Sequence, residues 1–266
     1  MKLLAFLKKD FLITLSYRFA VLLHFFGMFV WLFMFYFIGQ TFTGSISPHL
    51  ERYGGSYFAY VLVGIAVSSF VSVGLESFAE EVRGAQVEGT LEALLSTPTS
   101  IYTILVGNSL WSFAVSLVVS ILFLAGGCLF LGLQILPLNA AAALVVLATT
   151  FLAFLAIGML SAGFIMIFKQ GNPVGALFGT SSYFLGGVLF PVEVLPEPFQ
   201  WAAAFLPTTH AVKALRELLL AQVAVAEILP ILGNLGLFVA VTAPVGIAFF
   251  RYAVRRAKRD GSLTQY

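Results

Sequence analysis

Glu80–Ser100, EEVRGAQVEGTLEALLSTPTS, is the stretch whose reading decides the rest of the chain. Its acids Glu80, Glu81, Glu88 and Glu92 and its single Arg83 stand between two long apolar segments, so it lies outside a membrane that its neighbours enter. On a helical wheel Glu81, Ala85, Glu88 and Glu92 share one face, and Val87, Leu91, Leu94 and Leu95 share another. Gly84 and Gly89 weaken a continuous helix, which predicts a helix, a bend and a short second helix. Thr97 before Pro98 then reads as an N-cap with proline at the first helical position. The expectation is an amphipathic element parallel to the membrane face, of the kind that would grip a soluble partner.

Composition agrees with that frame. Of 266 residues, 60% are hydrophobic and only 10% charged, with a mean hydropathy of +1.01. A soluble domain carries about a quarter charged residues, so this is an integral membrane protein. The lone Cys128 excludes an internal disulfide or a multi-cysteine metal site and reads as a packed thiol. Near Met1 no small-residue cleavage site follows a short apolar core, so a removable signal peptide is not expected.

Outward from the central stretch, apolar runs of bilayer length fall at residues 19–42, 56–79, 101–131, 138–168, 174–190 and 228–250. Residues 1–18 place Leu4, Leu7, Phe11 and Leu15 on one side and carry Lys2, Lys8, Lys9, Asp10 and Arg18, as an interfacial helix on anionic headgroups would. Residues 44–55 form a polar loop, and the tyrosines opening the second run fit an interface belt. The expected fold is therefore an all-α membrane protein. It has an N-terminal interfacial helix (1–18), a six-span transmembrane domain (19–256) and a tail (257–266). With the first residues in the cytoplasm, that side holds Lys2, Lys8, Lys9, Arg18, Arg83, Lys169, Arg251, Arg255, Arg256, Lys258 and Arg259. The other side holds only Arg52, Lys213 and Arg216. This bias puts both termini and residues 80–100 in the cytoplasm.

Residues 191–227 are too apolar for a free loop and too broken to span. Pro191, Pro196, Pro198 and Pro207 cut them into pieces. Residues 199–206, with Trp201, form one short helix, and residues 210–222, capped by Thr208 or Thr209, form another. In the second, Val212, Leu215 and Leu219 share a face, and Lys213 and Glu217 are spaced as an i,i+4 pair. A re-entrant hairpin dipping into the outer leaflet satisfies both facts.

This order resembles the permease subunit of type-two ATP-binding-cassette exporters over essentially the whole chain. EGTLEALLSTPTS (residues 88–100) is similar to the family's coupling-helix region, and YFLGGVLFPVEVLPEPFQWAAAFLPTTHAVKALREL (residues 183–218) to its signature around the fifth span and external hairpin. The resemblance implies a homodimer, or a dimer with a similar chain, in the cytoplasmic (inner) membrane, bound to two soluble ATPase subunits that hold ATP and magnesium. Glu81, Arg83, Glu88, Thr90, Leu91, Glu92, Leu94 and Leu95 would form the ATPase-coupling surface. Trp201, His210, Lys213, Arg216 and Glu217 would belong to the external hairpin. No Gly-x-x-x-x-Gly-Lys-Ser/Thr phosphate loop occurs in the sequence, so the motor is expected on another chain and this one is not expected to be an enzyme. No catalytic residue, resident cofactor, metal site or nucleic-acid partner is expected in it. Its other contacts are membrane lipids.

Phe29, Phe33 and Tyr36, from an aromatic run that circles the first span, are candidates for a translocation path. Glu76 either pairs with the N-terminal helix or reaches the interface. His24 reads as a hydrogen-bonded core group rather than a proton carrier, and Ser112, Ser116 and Ser120 as a helix-packing stripe. Alternating access would move an amphipathic substrate (lipid, lipid-linked glycan or drug-like molecule) outward, and Asp at Leu91 and Leu94 would uncouple it without unfolding the spans. The rival reading, a secondary transporter driven by an ion gradient, calls for mid-depth acids or histidines and internal repeats. Of these, only His24 offers itself.

Overall fold

The computed structural model describes residues 8–12, 14, 16–41, 48–53, 55–92, 101–131, 139–169 and 171–259. Among the described residues all regular structure is helical. In chain order these helices are α1 (Arg18–Thr41), α2 (Pro48–Glu51), α3 (Tyr57–Val87), α4 (Ile101–Leu131), α5 (Ala140–Phe168), α6 (Pro173–Leu185), α7 (Glu197–Ala204), α8 (Pro207–Leu219) and α9 (Val225–Arg259). A 3₁₀ turn at Val192–Val194 lies between α6 and α7. Four helices, α3, α4, α5 and α9, are long and apolar enough to cross a membrane, and Phe26–Thr41 of α1 adds a shorter apolar stretch.

α5 packs on both α3 and α9, and α4 packs on α3, with its Phe113 reaching Phe151 of α5. Small residues let the backbones close up. A Cβ on Gly158 of α5 would sit 2.5 Å from the carbonyl oxygen of Gly74 in α3, so only glycine fits that crossing. Phe70 and Phe78 of α3, Phe154 of α5 and Phe250 of α9 fill the core and are fully buried. On α4 the serine stripe turns toward α3. Ser120 Oγ donates to the carbonyl of Ala66 at 3.1 Å and lies 3.1 Å from Ser69 Oγ. Ser116 is buried as well, whereas Ser112 bonds back within α4 to the carbonyl of Asn108. The N-terminal segment reaches α4 through an edge-to-face contact of Phe11 with Trp111.

Several boundaries depart from the sequence reading. α3 does not bend at Gly84. It runs unbroken for 31 residues, about 46 Å at 1.5 Å per residue, beyond the roughly 30 Å of a hydrocarbon core. One exposed glycine costs only about 1 kcal/mol, and burial of Val82, Ala85 and Gln86 on the same turns offsets it. α6 ends at Leu185 after 13 residues, about 20 Å. Residues 186–190 of the expected fifth span therefore leave the helix.

In the hairpin, α8 begins at Pro207 with Leu206 at the N-cap, so Thr208 and Thr209 sit in its first turn rather than capping it. α7 begins at Glu197, two residues ahead of the expected start, because Pro198 takes an early helical position. α9 continues past Phe250 to Arg259, with Arg256, Lys258 and Arg259 in its last turn, where basic side chains favour the helix dipole. Thr97, Pro98, residues 132–137 and the tail beyond Arg259 lie outside the described residues, as does the side chain of His24.

Candidate functional site

Polar chemistry gathers at the two ends of α3. At its Tyr57 end, Arg216 of α8 is buried, with 3% of its surface exposed. Its Nε and Nη2 donate to the carbonyl of Tyr60 at 3.0 and 2.9 Å, Nη1 donates to Gly187 at 2.7 Å, and Nη2 donates to Val188 at 2.9 Å. The guanidinium carbon lies 3.2 Å from the centre of the Tyr60 ring, whose hydroxyl donates to Gly187 at 3.3 Å. One side chain thus joins α3, the segment after α6 and α8. Gly64 makes room for it. A Cβ there would meet the Val188 carbonyl at 2.3 Å and Nη2 of Arg216 at 2.9 Å. Burial lowers the guanidinium to about 10, so it stays charged at neutral pH.

Glu217 is also buried, and its partner is Arg52 at 3.1 Å rather than Lys213. The i,i+4 pairing expected within α8 loses to this non-local one, and Lys213 stays exposed. Among the described residues Glu217 has no second cation within ion-pair distance, so Arg52→Ala should strand a buried carboxylate and cost about 1–3 kcal/mol. Lys213→Ala should leave the melting temperature of the solubilised protein unchanged. A melting comparison of the two variants checks this.

Burial first and the Glu217 carboxylate second push the Tyr53 phenol up from its ordinary value. His210 approaches the carbonyl of Ala204 at 3.0 Å and packs on Phe238. Trp201 on α7 is exposed. A cavity of about 520 Å³ opens here, with Arg52, Tyr53, Glu193, Lys213 and Arg216 in its wall.

At the other end, α3 stops at Gly89, whose φ of +69° is left-handed. The amide of Thr90 donates to Ala85 and that of Gly89 to Gln86, a Schellman closure. The two-faced wheel fails within α3 itself, ahead of this break. Val87, expected on the apolar face, is 63% exposed, Ala85 on the polar face is buried, and Leu91 beyond the break is 1% exposed. Glu81 is half-buried, while Arg83, Glu88, Thr90 and Glu92 are exposed. Leu94 and Leu95 lie outside the described residues. Leu91 shares a core cluster with Val82, Ala85 and Leu105, so it is not part of an outward-facing surface. A second cavity, about 440 Å³, lies between this end and α4, lined by Glu80, Glu81, Glu88, Thr90, Asn108 and Ser112.

The translocation-path candidates divide. Phe29 and Phe33 are exposed on α1, whereas Tyr36 packs edge-to-face on Phe58 of α3. Tyr60, Gly64 and Gly187 were not singled out from the sequence. The tyrosines that looked like an interface belt are in part a cradle for Arg216, and a Gly-Gly pair directly after an apolar helix was the available signal.

A chain whose described residues form several helices long and apolar enough to cross a membrane is a multi-pass membrane protein. The chain belongs to the ABC-2 type transporter family, whose model matches residues 1–220. It is similar to nodulation protein J of Rhizobium leguminosarum bv. viciae, 30% identical over 209 residues that cover 76% of this chain and 78% of the relative. It is also similar to the inner membrane transport permease YadH of Escherichia coli strain K12, 25% identical over 62% of this chain and 64% of that one. With the linearmycin resistance permease protein LnrN of Bacillus subtilis strain 168 it shares 30% identity over 42% of this chain and 29% of that one. It is accordingly a transmembrane subunit of an ABC transporter, a family of membrane subunits without an ATPase of their own.

Proposed function

We propose that this chain is the membrane half of an exporter in the cytoplasmic membrane, gripping a separate ATPase through the Gly89 end of α3 and the residues after it. The observation that carries this is the overlong α3. It exceeds the hydrocarbon thickness by about 16 Å and closes on exposed Glu88, with Thr90 and Glu92 exposed just past the Gly89 turn, a charged tip at the end of a core helix. A push at that tip moves α3, and with it the Arg216 junction at the far end.

On this reading α1, α3, α4, α5, α9 and a fifth crossing started by α6 make six spans, with both termini and the Glu88 tip in the cytoplasm and α7–α8 as the external hairpin. The apolar window of α9 is only 11% buried within the chain, which suits contact with lipid and with a second permease copy in a homodimer served by two ATPase subunits. The cargo is an amphipathic molecule moving outward. The Bacillus relative's name joins permease to resistance, which fits that direction.

Reversing charge at the tip tests the grip. Glu88→Lys combined with Glu92→Lys should abolish transport in membrane vesicles supplied with the ATPase and ATP. Both side chains are exposed, so the melting temperature should not move. Full transport by this variant would remove the tip from the mechanism.

A further inference from the structure

We propose that the cavity at the Tyr57 end of α3 receives an anionic, phosphate-class headgroup. Its wall holds three cations, Arg52, Lys213 and Arg216, against one carboxylate, Glu193. Glu217, outside the wall, engages Arg52. Arg216 uses four of its five N–H groups, all on neutral carbonyls. These carbonyls and the face of the Tyr60 ring hold the guanidinium without an ion pair within 4 Å among the described residues, so the cavity sits beside a desolvated cation.

Lys213 makes no ion pair among the described residues and stands at the rim. Tyr53, also in the wall, carries a hydroxyl that makes no hydrogen bond among the described residues. Phosphate takes such donors from an arginine, a lysine and a hydroxyl together. The 520 Å³ volume lies within the usual range for small-molecule sites.

Another cavity opens farther along the same helix. About 7.5 Å down α3 from Tyr60, Ile65 opens a slot of about 250 Å³ lined mainly by apolar side chains, among them Met28, Trp31, Phe123 and Tyr183. The two cavities share no lining residue, so the cationic wall reads the phosphate alone, whether it belongs to a membrane lipid or to the carried molecule. This deepens the transport reading, and it rests on that reading only for which membrane face the cavity meets.

The test uses the full chain, purified in neutral detergent without a partner, and decyl phosphate as probe, with bound copies counted by native mass spectrometry. Saturable binding is expected, about tenfold weaker in Lys213→Gln with an unchanged melting temperature. Decyltrimethylammonium should not compete. Competition by inorganic phosphate would support a site that reads the headgroup alone, and its failure to compete would point to a site that needs the alkyl chain, against the proposal. Equal binding by Lys213→Gln and wild type, or displacement by the cationic amphiphile, would overturn the proposal. Because no ATPase is present, either result leaves the outcome at Glu88 and Glu92 untouched, so the two readings fail separately.

Discussion

Replacing Arg216 by Met should destabilise the chain by about 3–5 kcal/mol, the cost of removing a buried charged donor from the carbonyls built around it. The carbonyls of Tyr60, Gly187 and Val188 all lose a charged donor at once, and Met brings none. For a chain of this size that corresponds to a fall of at least about 6 °C in melting temperature. Arg216→Lys should recover only part of it, because an ammonium is a point charge and cannot span three carbonyls as a planar fork does. Melting of the detergent-solubilised protein measures both. An Arg216→Met variant as stable as wild type would show that the segment after α6 is held by apolar packing alone.

The second large effect is at Leu91. Asp in place of this side chain, 1% exposed and in the cluster with Val82 and Leu105, buries a carboxylate among apolar side chains. The expected cost is about 4 kcal/mol. Leu91→Met, which conserves volume, should cost less than about 1.5 kcal/mol. Against the sequence-based expectation that Asp at Leu91 and Leu94 uncouples transport while leaving the spans intact, this burial predicts a folding cost at Leu91. Loss of transport in Leu91→Asp would accompany loss of folded protein in a melting or size-exclusion assay. Retained folding with lost transport would return Leu91 to the coupling surface.

These two residues also mark how far sequence reading reaches. Long apolar runs announce themselves because a bilayer demands about 20 apolar residues in succession, and α3, α4, α5 and α9 stand where such runs were read. Gly89 was legible as a break, since a left-handed residue favours glycine. Gly84 was over-read, because its cost is small beside the packing of its helix. The helical wheel failed inside α3, where Ala85 of the polar face is buried in the core and Val87 of the apolar face is 63% exposed, while Leu91 is buried as the wheel has it.

Arg216 was read as a fixing residue of the hairpin, but its partners were not legible. They are backbone carbonyls, which every residue possesses, 28 to 156 positions away. For the same reason Arg52 was not matched to Glu217. Spacing favours Lys213, and only the fold brings Arg52 to 3.1 Å.

Affinity purification of the tagged chain from its native membrane, followed by mass spectrometry, tests the central claim most directly. The account predicts a co-purifying soluble protein with a Gly-x-x-x-x-Gly-Lys-Ser/Thr phosphate loop, lost from the Glu88→Lys, Glu92→Lys variant and retained by Lys213→Gln. A chain that comes out alone under mild detergent, and moves solute in vesicles without ATP, would contradict it.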